Sequence, residues 1–461
     1  MELGYKRKNV WFETDMAEKK AVFEYGERYR KFISKAKTER LAVTEILSRA
    51  KEAGFKPLEE ALRGEIKPGD KLYLNHKNKS AVLFVMGRNL EDGMNIVGAH
   101  LDAPRLDVKP LPLYEDGNMA LMKTHYYGGV KTYQWVCTPL ALHGVYTNAD
   151  GETVHINVGE NPDDPVLYIT DLLIHLSKDQ MQKKLAEGIT GEQLNAVIGQ
   201  CSFGADKESK HPVKDNLLGI LNRKYGMTER DFLTAEFELV PAGPARDVGL
   251  DRAMIAGHGH DDRVCSYAGL EAILNLSNPE RTAVGLFVDK EEVGSMGNTG
   301  MEGAFFDHAL AEILAKTPGD VFLRLGRCYQ GTRVLSADVT NGHDPSFPEV
   351  DDPLNGSKIG HGVSLSKYTG SRGKSGCNDA NAEFIGGLGR LFDAHGVVWQ
   401  TSELGKVDQG GGGTIAYILA NKGAEVVDCG TPMLSMHAPT ELVAKADAYM
   451  TYKAYRCFLE N

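Results

Sequence analysis

An α/β fold on a mixed sheet, with helices on both faces and an inserted β-rich second domain, is what this sequence predicts, and three observations carry that expectation. From residue 253 onward, short apolar runs alternate with amphipathic helical stretches, the pattern of strands connected through helices. The runs are unbroken in hydrophobicity, as in Ala-Val-Gly-Leu-Phe-Val at 283–288, which suits strands buried on both faces. Between Arg105 and Arg246 the alternation gives way to β-type stretches and polar, glycine-bearing connections, and 461 residues are more than one core of ordinary size needs. The chain is therefore divided into a main domain of residues 1–104 and 247–461 and an inserted domain of residues 105–246.

Each element has its own reason. Residues 12–53 carry Phe23, Tyr29, Phe32, Ile33, Leu41, Ile46 and Leu47 near helical spacing and read as two helices stopping at Gly54. Residues 71–74 and 80–87 read as a strand pair across a polar turn, and 94–98 as a strand running into Ala-His-Leu-Asp-Ala-Pro at 99–104. In the inserted segment, 134–145, 153–158 and 235–241 read as β-type, 172–185 as a helix and 204–216 as a polar connection. Residues 253–257 form a strand leading to Gly-His-Gly-His-Asp-Asp-Arg at 257–263, and 264–275 a helix. Strand 283–288 ends on Asp-Lys-Glu-Glu-Val-Gly-Ser-Met-Gly at 289–297. Further strands are read at 321–323, 334–335, 397–400 and 425–427, and helices at 380–392, 414–421 and, closing the chain, 441–460.

Composition excludes several classes of function. A formal charge of −11 disfavours nucleic-acid and anionic-membrane surfaces. Residues 1–20 are dense in charge, and no apolar run reaches membrane-spanning length, so a cytoplasmic location is expected. The seven cysteines are scattered, with no Cys-x-x-Cys pair, and read as free thiols.

Ligand-type residues recur at one kind of place, the carboxyl end of a predicted strand or the turn after it: His100, Asp261, Glu292, Asp338 and His437. In open α/β sheets that edge is where sites are built. Two histidines and three carboxylates exceed one closed tetrahedral zinc but suit two ions sharing a carboxylate. Glu291, beside a ligand but spare, fits a general base that deprotonates water. Asp102, two residues beyond His100 on the same face, fits the group that orients a metal-bound imidazole. Taken singly, each has a plainer reading: Glu291 and Glu292 as a solvated pair, Asp338 as a turn residue, His437 as a cap or core histidine. Their joint placement favours the site. His258 and His260 read as lining a glycine-rich turn. The glycines at 410–413 lack the Lys-Ser/Thr of a phosphate cradle and read as a close approach of backbone to substrate.

The motifs Gly98-Ala-His-Leu-Asp-Ala-Pro-Arg, His260-Asp-Asp-Arg-Val-Cys, Asp289-Lys-Glu-Glu-Val-Gly-Ser, Ser336-Ala-Asp and Leu434-Ser-Met-His, in this order, resemble those of the aspartyl aminopeptidase and vacuolar aminopeptidase I family. The resemblance implies a metallo-aminopeptidase acting on short peptides with a free amino terminus. It implies two divalent ions, zinc first, with manganese or cobalt as alternatives. One would be held by His100 and Asp338, the other by Glu292 and His437, with Asp261 bridging, Glu291 as base and Asp102 orienting His100. It also implies a cis peptide at Asp261–Asp262 and a homododecamer built from dimers, in which the inserted domain serves oligomerisation and His175 reaches a neighbour's active site. An ordinary helix histidine is the other reading of His175. Lys367, Arg372 and Lys374 are candidates for reading a substrate side chain, or a solvated basic loop. A deacylase or carboxypeptidase using the same metals, and a non-catalytic assembly protein of the same fold, are the rival readings.

Overall fold

The computed structural model describes residues 3–461. The chain divides into two compact units. One comprises the residues up to Asp102 with Ala245–Met436 and Glu441–Asn461, the other Ala103–Pro244 with His437–Thr440.

The first unit is built on a nine-stranded sheet in the order Lys56–Pro57, Lys71–His76, Ser80–Val85, Thr282–Val288, Met94–His100, Arg333–Ser336, Glu425–Gly430, Val363–Ser366, Trp399–Thr401. The four strands from Thr282–Val288 to Glu425–Gly430 run parallel, and antiparallel neighbours flank them on both sides. The sheet is therefore mixed, with a parallel centre. Side chains alternate between two cores, as a pleated strand requires. Ala81, Leu83, Val97, Ala99, Phe287, Leu335 and Val427 face one core, where Tyr29, Phe32, Ile46, Tyr267, Leu270, Tyr455 and Phe458 come from helices Met16–Lys35, Glu39–Glu52, His260–Leu274 and Lys445–Glu460. Val82, Phe84, Ile96, Leu286, Val288, Val334 and Val426 face the other, against Phe306, Leu310, Cys328, Tyr329 and Leu419 of helices Phe305–Leu314, Val321–Gly331 and Ala416–Ala420. Helices thus cover both faces.

Several elements differ from the sequence expectation. Residues 321–323 open a helix, Val321–Gly331, rather than a strand: Asp320 caps it by accepting from Leu323 N, and Leu325, Cys328 and Tyr329 follow Val321 at helical spacing onto the core. Residues 441–444 form a strand paired with Met254–Gly257, so the closing helix begins at Lys445. Residues 172–185 form no continuous helix but two 3-10 turns, Ile174–Leu176 and Gln180–Gln182. Leu172, Leu173, Ile174 and Leu176 are all exposed, so within this chain no apolar face is buried to stabilise one.

The second unit is a seven-stranded antiparallel sheet in which Glu236–Pro241 pairs with both Arg105–Asp116 and Pro139–Thr147, closing the sheet on itself around Leu106, Trp135, Leu140, Leu194 and Leu239. Helix Pro212–Tyr225 starts within the stretch read as a polar connection. The Asp261–Asp262 bond is cis, as the resemblance implied. Among the described residues no helix is long and apolar enough to cross a membrane, and all seven cysteines are free.

Candidate metal centre

Parallel strands end at the same edge, and their register decides which residues meet there. Val288 pairs with His100, and Ser336 with Gly98. Ala337 N donates to Gly98 O at 2.6 Å, so Asp338, two residues past Ser336, stands level with His100. Helix His260–Leu274 fixes the same edge from one face: Arg263 Nε donates to Leu101 O at 2.9 Å and Ser266 Oγ to His100 O at 2.8 Å. Asp261 and Asp262 depart from helical dihedrals at the start of that helix, after Gly259 in the left-handed region. Asp261 N donates to Glu441 Oε2 at 3.1 Å.

After Val288 the chain turns sharply. Lys290 (φ 68°) and Gly294 (φ 94°) bracket the 3-10 turn Glu291–Val293, conformations that cost a side chain at Lys290 and nothing at Gly294. The turn is held from the neighbouring strand end: Glu291 N donates to Asp102 Oδ1 at 3.1 Å and Glu292 N to Asp102 Oδ2 at 3.2 Å.

His100 is buried, with Nδ1 3.0 Å from Asp102 O and 3.3 Å from Asp102 Oδ1. A carbonyl only accepts, so Nδ1 keeps its proton, and Nε2 is the nitrogen whose lone pair a metal would take on displacing the proton it gives Asp261. Nε2 lies 3.0 Å from Asp261 Oδ1 and 3.9 Å from Glu291 Oε2. Three overlapping groups offer ligand atoms within 4.8 Å of one another: His100, Glu291 and Asp338; His100, Asp261 and Glu292; Asp261, Asp262 and Asp338. Five residues named from sequence therefore share one place, and Asp262 joins them. Asp262 was not assigned a role from sequence, although its position directly after Asp261 was the available signal.

The charge balance of this place calls for a cation. Burial, then repulsion from Asp261, holds the Asp262 carboxyl well above the usual carboxylate range, and burial, then Glu291 and Asp262, does the same for Asp338. Burial opposes charge on His100, but its bonds to Asp102 and Asp261 outweigh it and raise the imidazole well above its ordinary value. Both Asp262 oxygens are buried without a hydrogen-bond partner. One histidine nitrogen and several carboxylates, converging and short of positive charge, are a donor set that zinc accepts.

His437, named from sequence as a ligand, lies in the second unit at φ 64°, and its Nδ1 is 2.9 Å from Gly129 O, the tautomer that leaves the lone pair on Nε2. His175 is exposed in the turn Ile174–Leu176. Lys367 and Lys374 both pair with Asp379, Lys374 at 2.9 Å, so the two ammonium groups share one carboxylate, while Arg372 sits in the same loop at φ 46°. His260 is a core residue: it bonds Tyr29 Oη at 2.6 Å and Ile255 O at 3.1 Å, and burial pushes its pKa down to about 3.

Comparison with known proteins follows the same lines. Residues 32–459 match the family model described as aminopeptidase I zinc metalloprotease (M18). A probable M18 family aminopeptidase 1 from Clostridium acetobutylicum is 49% identical over 98% of each chain. The crystal structure of an M18 aminopeptidase from Thermotoga maritima superposes with a TM-score of 0.95 at 44% identity, covering 99% of this chain and 100% of that one. A yeast mApe1 dodecamer shares the fold, with a TM-score of 0.75 at 19% identity over 94% of this chain and 96% of that one.

Proposed function

The chain belongs to the M18 family of zinc metallo-aminopeptidases, and on that premise we propose that its strand-edge centre uses two ions and a separate glutamate base to release the amino-terminal residue of short peptides. The observation that carries this reading is the convergence of His100, Asp261, Glu291, Glu292 and Asp338 within three overlapping ligand groups. His100 and Asp338 would hold one ion and Glu292 the other, with Asp261 bridging; His437 is assigned to the second ion by resemblance.

Bound zinc supplies Lewis acidity toward the scissile carbonyl and lowers the pKa of water. The remaining work falls to side chains. Glu291 takes the proton of the attacking water and returns it to the leaving amine nitrogen, so that one carboxylate serves as base and then as acid. Its backbone is fixed by Asp102, which limits the positions its carboxylate samples. Asp102 O keeps the His100 proton on Nδ1, which leaves Nε2 basic. Amide cleavage then balances: water adds to the carbonyl carbon, the C–N bond breaks, and the amine leaves with the proton Glu291 carried.

Self-association fits the exposed apolar segment. Ile174 and Leu176 are 70% and 69% exposed and flank His175, a surface suited to a second copy of this chain. A homododecamer in which His175 approaches a neighbour's site is the assembly proposed.

The test is a panel of aminoacyl anilides and short peptides, each with a free or an acetylated amino terminus, assayed before and after chelation. Cleavage restricted to free amines, lost on chelation and restored by zinc, is expected. Equal cleavage of acetylated substrates would instead assign a deacylase or carboxypeptidase.

A further inference from the structure

We infer that Tyr417 is a positioning residue for Glu291, bracing the loop that carries the base through a hydrogen bond to Glu302. The inference rests on the reading of Glu291 as base. Tyr417 lies in helix Ala416–Ala420, directly after the glycines at 410–413, and its Oη donates to Glu302 Oε1 at 2.8 Å. The two residues are 115 positions apart, so the bond joins segments that no local turn holds together.

Backbone bonds connect Glu302 to the base. Ser295 N donates to Lys290 O at 2.7 Å, and Glu302 N donates to Ser295 O at 3.1 Å. Ser295 therefore links the residue before Glu291 to Glu302. The loop between them is packed shut, since a Cβ on Gly300 would stand 2.2 Å from Ser295 O. A shift at Glu302 thus passes to the backbone of Glu291 through two hydrogen bonds. On the other side, the Tyr417 helix is seated on the strand that bears His100. Ile415 is buried, and a Cβ on Gly98, two residues before His100, would meet its Cδ1 at 3.1 Å. Ile418 and Leu419 are buried in the same core as Val288, and the half-buried Tyr417 ring packs against it. Met301 and Phe305, on either side of Glu302, are buried there too. Both partners are held in place by their neighbours, so the bond orders little that was free before. The Tyr417 phenol is raised above its usual pKa, first by the bond to Glu302, then by burial and by the charges of Glu302 and Glu291, so the base lies within electrostatic reach of the hydroxyl.

Removing the hydroxyl tests this without disturbing the ring. In zinc-loaded Tyr417→Phe, kcat should fall about fivefold to tenfold, with KM changed by less than about twofold and native zinc content, a loss of positioning rather than of uniform binding. Glu302→Ala should cost the same, and the double variant no more than either alone, because each removes the one bond. Glu302→Gln keeps an oxygen that accepts from the phenol and should stay within about twofold of native. On a Glu291→Gln background, Tyr417→Phe should add less than about twofold, because it acts through that glutamate. Native kcat in Tyr417→Phe would overturn the inference, as would full additivity with Glu291→Gln. Equal losses in Glu302→Gln and Glu302→Ala would overturn it too, since charge and not the bond would then be at work. Undiminished activity in Glu291→Gln alone would instead refute the base assignment, a result separable from any outcome at Tyr417.

Discussion

Gly430 gives a demanding test of how the sheet edge holds the site. It closes the strand Glu425–Gly430, and a Cβ built on it would stand 1.7 Å from Asp338 O and 2.5 Å from Asp338 C. Both are backbone atoms, so no side chain can swing aside. To reach even the 3.0 Å below which Cβ contacts are essentially never seen, the two segments must separate by about 1.3 Å. Overpacking of this kind costs about 1–3 kcal/mol of stability. The larger effect falls on the site, because the displaced segment carries Asp338, the ligand proposed above. A misplacement of about 1 Å at a catalytic group costs about a hundredfold, or roughly 2.7 kcal/mol of barrier. Gly430→Ala should therefore fold with a lowered melting temperature, lose zinc on dialysis, and turn over at about 1% of the native rate. Gly326→Ala is the control, since its Cβ would meet nothing within 4 Å in helix Val321–Gly331, and it should be neutral or slightly stabilising. A Gly430→Ala enzyme with native zinc content and rate would refute the claim that register at this edge sets the ligand positions.

Two further outcomes follow from groups away from the chemistry. Asp447 is buried and accepts from Gly360 N and Gly362 N, yet burial raises its pKa to about 7. Its folded state keeps a proton that the unfolded chain gives up near pH 4, so its contribution to stability is full below that value and is lost as pH rises to about 7. Relative to native, Asp447→Asn should gain about 2–3 kcal/mol between pH 5 and pH 7.5 in urea unfolding, and a flat difference would contradict the burial argument. Ile174→Asp with Leu176→Asp should reduce the assembly measured by light scattering to smaller species, because both side chains are exposed in the isolated chain; an unchanged mass would place the interface elsewhere.

The centre of the fold was legible because fully buried parallel strands announce themselves. Ala283 to Val288 has no polar residue to interrupt it, and both its faces are core. The candidate ligands His100, Glu292 and Asp338 stood out for the same reason, since they follow the runs 94–100, 282–288 and 333–336, whereas Asp261 and His437 follow Met254–Gly257 and Pro432–Leu434, short strands of another sheet. What was missed lacked that signal. Arg105–Asp116 and Met119–Tyr127 pair along their length, but exposed and half-exposed positions and a register shift between Val108 and Leu113 break the period of two. Residues 172–185 are apolar enough for a helix, but no core in this chain receives them. Residues 321–323 are too few to separate a strand from the first turn of a helix. Asp262 was hidden by its neighbour: sequence shows two adjacent acids, and only the turn at the start of helix His260–Leu274 brings both to the same cluster.

The division of labour between Glu291 and Glu292 is the centre of this account, and one variant tests it directly. Glu291→Gln keeps the backbone amide that Asp102 receives and removes only the carboxylate that carries the proton. Zinc content equal to native, with turnover reduced about a hundredfold to ten-thousandfold, is the predicted result. Native turnover with native zinc would contradict it.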